Sequence, residues 1–346
     1  MQTYSPAPVE AALWARPASD PPPPQGTDWP ARAGFSGVGV WPAAAAGVYV
    51  GVSLGALLWL WLWPAHTARA GLGVHWGYLA LFLAVMTYLV ALGVTLVYHR
   101  VLTHRAAKLS RWVAYPLVTI ALPAGTPVQW VGNHRHHHAV TDAPADTHSP
   151  RQYGMWVAHA GWYIYTSRVL WCVLYSVAGP LRMLFDAFWR PQTNQEHTRL
   201  ARDIEADGYY RWLGRPTPYA ALVIGHVVFT WLIVYALWGV WALPLLYLTQ
   251  LTYYLAGDGV NSILHRFGAQ PFDTGDDSTN AWWLAPLTLG EAWHNNHHAF
   301  PRSIKSGLLP FQVDLAYLSC RLLALFGLAK DLWLPTQRDV ETRLKR

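Results

Sequence analysis

Four runs of uncharged, apolar side chains decide most of what this chain can become. Pro42 to Trp63, Trp76 to Tyr98, Tyr219 to Trp238 and Trp241 to Ala256 contain no Asp, Glu, Lys or Arg. A helix needs roughly 20 residues to cross the hydrocarbon core of a bilayer, and the first three runs reach that length. Inside such a core every backbone N–H and C=O must be paired within the segment, which leaves the helix as the form open to them. The expected fold is therefore an all-α integral membrane protein with four transmembrane helices. Trp59, Trp61 and Trp63 crowd one end of the first run, as side chains of an interfacial belt do.

Composition agrees. Of 346 residues only 13% are charged, against roughly a quarter in ordinary soluble domains. The two cysteines, Cys172 and Cys320, fit neither a metal spacing nor a disulfide framework. Residues 1–41 are rich in Pro, Ala and Gly, show no signal-peptide pattern, and read as a disordered tail. Residues 42–330 form the expected membrane domain, and 331–346 a charged C-terminal tail. The 25 Lys and Arg are unevenly placed, since only Arg69 falls in a loop on the outer side. The positive-inside rule then puts both termini on the cytoplasmic face. Nothing in the pattern points to a nucleic-acid partner.

The middle of the chain, 105–218, holds most of the basic residues. Pro116, Pro123 and Pro127 argue against a straight span from Trp112 to Val131. Gly154 to Phe188 mixes apolar faces with His159, Arg168 and Arg182, as helices lying along a membrane surface do.

Histidines gather in four places. His294, His297 and His298 stand at i, i+3 and i+4, as do His134, His137 and His138. On a helix such triplets lie within about 100° of one another and aim at one point. His99 and His104 close the second run, and Asn261 and His265 follow the fourth, on the same membrane face. On an ideal α-helix an i, i+5 pair is roughly 140° apart. Either the helix unwinds near His99 and His104, or the two serve different ions. Nine imidazoles are too many for one ion and about right for two with open positions, with Asn261 completing one site directly or through water. The nitrogen-rich donor set favours Fe, Cu or Zn over Mg or Ca.

Neutral ligands leave the charge of two divalent ions to be offset. Ligating histidines usually donate their second N–H to a carboxylate or carbonyl, and Asp142, Asp146, Asp258 and Glu291 lie close in sequence to the clusters. His148 and His159 are further supporting candidates. His136 points away from its neighbours' face. His66, His75 and His197 read as solvated, and His226 as a satisfied polar group within a span.

These motifs resemble the membrane-bound fatty acid desaturases of the delta-9, stearoyl-type branch, over about residues 43–330. The likeness rests on His99-x-x-x-x-His104, His134-Arg135-x-His137-His138, Asn261-Ser262-x-x-His265, and Gly290-Glu291-x-Trp293-His294-Asn295-Asn296-His297-His298. It implies two non-haem irons, four spans, and a cytosolic helical cap holding the metals over a narrow acyl tunnel. It also implies dioxygen as co-substrate and a cis double bond as product. By position Trp130 would line the tunnel near its bend, with Thr87 and Ala91 near its closed end. Where the animal acyl-CoA enzymes carry charged residues stand Gly132-Asn133 and Thr166-Ser167, which favours an acyl-lipid over an acyl-CoA substrate. Gly257-Asp258-Gly259 stands where the family has Thr and Trp in the tunnel wall. The expected electron donor is a separate ferredoxin or b-type cytochrome. Competing readings are a di-iron hydroxylase or ketolase and, from another class, a metal-transporting membrane protein. The transporter would place histidines or carboxylates at the midplane of several spans, where only His226 qualifies.

Overall fold

The computed structural model describes residues 76–345 apart from 165 and 167, together with positions 55, 58, 59 and 62. The stretch 1–41, nearly all of the run Pro42 to Trp63, the loop bearing His66, Arg69 and His75, and Ser167 lie outside the described residues.

The described chain is mostly helical. Helix α1, Trp76–Leu92, continues without a break into a π-helical segment, Gly93–Thr103. From Gly77 to Thr103 this makes one largely apolar helix of 27 residues, about 40 Å at 1.5 Å per residue and so longer than a bilayer core is thick. Gly93 admits a close neighbour, because a Cβ there would stand 2.4 Å from the carbonyl oxygen of Leu117. The prolines divide the next stretch. α2 spans Arg111–Ala121, a 3-10 turn covers Leu122–Ala124, and α3, Pro127–Val140, starts with Pro127 in its first turn behind Thr126. The Thr126 hydroxyl caps α3 by accepting from the Gln129 N–H at 3.3 Å. Pro at that position gives up an N–H that the helix would not have used.

α4, Val169–Val177, and α5, Pro180–Trp189, meet at Gly179, whose φ of 54° is open to glycine at little cost. The pair is bent by 115°, so the chain turns back rather than running straight through. Trp171, Leu181 and Phe188 face outward from it, each more than half exposed. α6, Pro216–Trp238, is the second helix long and apolar enough to cross a membrane. Gly239 and a short 3-10 turn lead into α7, Leu243–Ser262. α7 has the length of a span, but Gln250, Thr249, Thr252 and Asp258 make it less apolar than α1 and α6.

Beyond α7 come a loop, the short helix α8, His294–Ala299, and α9, Leu315–Leu325. α9 buries Ala316 and Cys320 and exposes Leu318, Leu322 and Leu325. The only regular strand pairing among the described residues joins β1, Lys108–Leu109, to β2, Ala329–Lys330, antiparallel. The charged end of the chain folds back. α10, Gln337–Arg343, begins with a capping box between Thr336 and Asp339, and Arg343 lies over the Phe300 ring. The main core lies where α1 and its π-helical continuation meet α2, α3 and α9, around Leu96, Tyr98, Val118 and Val131. That packing holds the ends of four histidine-bearing segments together.

Candidate metal centre

The nine clustered histidines form two groups. His99, His104, His134, His138 and His297 make the first, and His137, His265, His294 and His298 the second; within each, one nitrogen per ring lies within 4.8 Å of all the others. All nine are buried except the half-buried His138 and His298.

The triplets do not aim at one point as the helical spacing alone suggests. On α3 the i, i+4 pair, His134 and His138, goes to the first group and His137 to the second. On α8 the i, i+4 pair, His294 and His298, goes to the second and His297 to the first. Each helix therefore places two imidazoles in one group and one in the other. The rings of His138 and His298, centroids 4.6 Å apart, form part of the shared wall.

The π-helical winding of Gly93–Thr103 resolves the i, i+5 question. Its hydrogen bonds skip five residues, as in the 3.2 Å bond from the His104 N–H to the His99 carbonyl. Residues five apart therefore stack about one turn above each other. His99 and His104, with ring centroids 4.9 Å apart, belong to the same group.

The donor geometry fits metal. Nε2 atoms face one another at 3.0 Å for His99 and His297, 2.9 Å for His297 and His138, and 3.1 Å for His134 and His138. In the second group His294 stands 3.1 Å from both His265 and His298. Two nitrogens each about 2.1 Å from one ion stand ~3.0 Å apart at a right angle and ~3.4 Å at the tetrahedral angle. The observed spacing is that of an octahedral or five-coordinate edge. Nε2 of His137 is buried with no hydrogen-bond partner while its Nδ1 is bonded to Asp146, as a ligating imidazole requires. Burial first, then the neighbouring imidazoles, push His104, His134, His138, His294 and His297 well below the usual histidine value. Neutral rings keep the lone pair that ligation uses.

Four carboxylates stand behind the rings. Asp146 meets Nδ1 of His137 at 3.0 Å and Asp142 that of His265 at 3.0 Å. Glu291 meets His99 at 2.5 Å and Asp276 meets His298 at 2.9 Å. Burial pushes the Asp142 carboxyl up, but His265 and Ser149 outweigh it and hold the group at about 2. Asp146 and Asp276 are held lower still, burial again being outweighed, by His137 and His298 respectively. Four negative charges match those left over on two divalent ions. Asp276 was not among the sequence candidates. Its signal was the acid-rich Asp273–Asp277 loop lying between two histidine motifs.

Other candidates fall elsewhere. Asp258 pairs with Arg182 at 2.6 Å and accepts from Tyr163 at 3.0 Å, rather than meeting an imidazole of either group among the described residues. His148 packs on Trp162 and stands 3.5 Å from Asp146, behind His137. His159 bonds Ser262 at 2.9 Å. His136 stacks on His197 at 3.7 Å, outside both groups. Asn261, half-buried one turn before His265, lines a cavity shared with His99, His134 and Trp130. Ala91 lines the same cavity, whereas Thr87 lines the adjoining clefts.

Arg100 is a further residue at the centre that the sequence reading did not single out. Fully buried, it donates to Glu291 at 3.0 Å, to Asp314 at 2.8 Å and to the Ile304 carbonyl at 2.8 Å, tying the first group's carboxylate to the start of α9. The asparagines between the last histidines fix α8. Asn295 exchanges bonds with the Phe272 backbone, and Asn296 bonds Asn280, Ser306 and Gln312.

Comparison with known proteins agrees with this geometry. The family model for fatty acid desaturase matches residues 74–311. The sn-1 stearoyl-lipid 9-desaturase of Anabaena variabilis is 32% identical over 299 residues, covering 84% of this chain and 93% of its own length. Delta-9 acyl-lipid desaturase 1 of Arabidopsis thaliana is 33% identical, covering 75% of this chain and 76% of its own. An acyl-CoA 5-desaturase of Anemone leveillei is 36% identical, covering 75% and 73%. With a family model spanning well over half its length and relatives above 30% identity, this chain belongs to the fatty acid desaturase family and is an oxidoreductase.

Proposed function

We propose that this protein is a multi-pass membrane desaturase that places a cis double bond at the delta-9 position of a saturated acyl chain carried on a lipid. The first metal would be held by His99, His104, His134, His138 and His297, the second by His137, His265, His294 and His298 with Asn261. In this family the pair would be iron, and iron when bound supplies the activation of dioxygen that removing hydrogen from an unactivated methylene demands. Electrons come from a separate ferredoxin or b-type cytochrome, which the basic face attracts if the donor is acidic.

The chain's own residues do the rest. The four carboxylates orient the rings and hold the proton on Nδ1, leaving the Nε2 lone pair free. Trp130, Ala91 and Val94 wall a cavity that reaches His99 and His134. Such a wall holds a chain by apolar contact and sets which carbons lie beside the metals. The observation that carries the reading is this meeting of the five-imidazole group and a cavity with an apolar wall. Naming of relatives as acyl-lipid enzymes, and the uncharged Gly132-Asn133, support the lipid carrier.

Four spans, with termini and histidines cytoplasmic, fit the same picture. α1 and α6 are span-like, and the Trp59 indole donates to the Trp241 carbonyl at 3.2 Å. That bond supports a first span lying beside the α6–α7 turn.

The test is gas chromatography with mass spectrometry of membrane acyl chains from cells making the active protein or His294→Ala, with a competent donor. A product lacking two hydrogens, its double bond located by derivatisation and absent from the variant, is expected. A product that instead gains oxygen would make the protein a hydroxylase, and an unchanged lipid profile would refute both.

A further inference from the structure

One end of the cavity beside the imidazoles is polar and the other is hydrocarbon. At the polar end Arg182 of α5 sits in the wall, 3% exposed, with Nη1 and Nη2 donating to Asp258 of α7 at 2.6 and 3.3 Å. The Tyr163 hydroxyl donates to the same carboxylate, and the Arg182 guanidinium lies over the Tyr254 ring at 4.3 Å. Arg190, also in the wall, donates to the Ala124 carbonyl at 2.8 Å and to Asp186 at 3.3 Å. At the other end Ala91, Tyr253 and Leu287 belong both to this cavity and to a cleft lined by Leu83, Leu248 and Leu315.

Burying ion pairs costs several kcal/mol per ion before their attraction offsets it. A guest that was hydrocarbon throughout would be held as well by Leu or Phe. The charge balance narrows what the polar end receives. Each guanidinium already has its own carboxylate, so no net positive charge is left for a phosphate or pyrophosphate. What is left is the Nε–H of Arg182 and of Arg190, each buried with no acceptor. A buried donor of this kind calls for an uncharged acceptor such as a carbonyl oxygen.

We propose that Arg182, Asp258, Arg190 and Tyr163 bind the ester end of an acyl glycerolipid, whose chain runs from there past the imidazoles towards Ala91 and Leu287. The identity of the guest as an acyl chain rests on the desaturase reading. His99 and His134, of the first imidazole group, line the same cavity as Arg182 and Asp258.

The test uses the full chain, iron-loaded, in discs of dioleoyl phosphatidylcholine. The probe is a distearoylglycerol carrying a diazirine at the second acyl carbon, with its labels mapped by peptide mass spectrometry. Labels are expected within residues 180–190 and around Asp258. Arg182→Met with Asp258→Leu removes both charges together and should cut labelling about tenfold, the effect of losing one strong hydrogen bond, and spread the double bond over neighbouring carbons. Arg182→Lys, which keeps the charge but lacks the Nε–H, should lower labelling without changing iron content. Labels on residues 80–91, unchanged labelling in either variant, or equal labelling by a stearoyl-CoA probe would overturn the proposal. Labelling at α5 without any desaturation would refute the desaturase reading alone, and desaturation with labels elsewhere would refute this one alone.

Discussion

Replacing Asp146 by Asn should loosen one metal site and leave its neighbour in place. Asp146 is fully buried, and both carboxylate oxygens are occupied. Oδ1 accepts from the His148 N–H at 3.0 Å and Oδ2 from the Asp142 N–H at 2.9 Å, while His137 Nδ1 stands 3.0–3.1 Å from both. An amide must turn its NH2 towards one of the two backbone N–H groups whichever way it flips. That leaves a buried donor facing a donor, at about 1–3 kcal/mol of stability. His137 also loses the charge that offsets its burial and keeps its Nδ1 protonated. Loss of such an outer partner lowers metal affinity roughly 10- to 100-fold, or ~1.4–2.7 kcal/mol. Dialysis against a graded chelator, followed by elemental analysis, reads the outcome. Iron should fall from two per chain towards one at chelator levels where the unaltered protein keeps both. Parallel loss of both ions, or no loss, would refute the assignment of His137 to a site separate from that of His134 and His138.

Three further outcomes are expected. His197 is stacked on His136, and its burial, then His136, depress it to about 3. A histidine whose folded value lies below its unfolded ~6.5 contributes stability that is full above that pH and lost as pH falls. Melting should therefore lose ~1.4 kcal/mol less between pH 7.5 and 5.5 in His197→Phe than in the unaltered protein, and an equal loss in the two would exclude the stack as a source. Two glycines should behave oppositely. A Cβ on Gly132 would stand 2.4 Å from the His197 carbonyl oxygen, whereas one on Gly257, in the cavity wall, would meet nothing within 4 Å. Gly132→Ala should cost about 1–3 kcal/mol of stability and Gly257→Ala should gain up to ~1 kcal/mol, while Gly257→Leu should lower turnover with iron content unchanged. Stripping the metal should lower the melting temperature, since a ligand at a hundred times its dissociation constant adds ~2.7 kcal/mol. Helical circular dichroism should persist, because α1, α6 and α7 are held by burial, and its collapse would show instead that the metals carry the fold.

Much of this architecture is legible in composition and spacing. The helices with span-like length follow from uncharged runs, and the nine imidazoles from their spacing: two triplets at i, i+3 and i+4, and His99, His104 and His265 just beyond two of the runs. Three of the four carboxylates behind the rings could be picked out because they lie close in sequence to the histidine motifs. Asp276 is passed over because it sits in a run of turn-forming residues, and it is the closure of that loop that brings it to His298. Asp258 shows the converse: proximity to Asn261 and His265 along the chain says nothing of Arg182, 76 residues away, which takes its carboxylate.

Residue type and periodicity by themselves determined that the chain is helical, largely apolar, and able to gather two ions' worth of neutral nitrogen donors. They did so because bilayer thickness, backbone pairing and imidazole chemistry are local demands that each segment meets alone. Only the tertiary structure decided that the donors divide five and four, that each histidine triplet serves both sites, and that His99 and His104 share one. Those outcomes depend on a π-helical winding and on helices crossing at a shared wall, where side chains from positions as distant as 99 and 297 are brought to 3.0 Å. Helical spacing says which face a side chain is on, and packing alone says what that face meets.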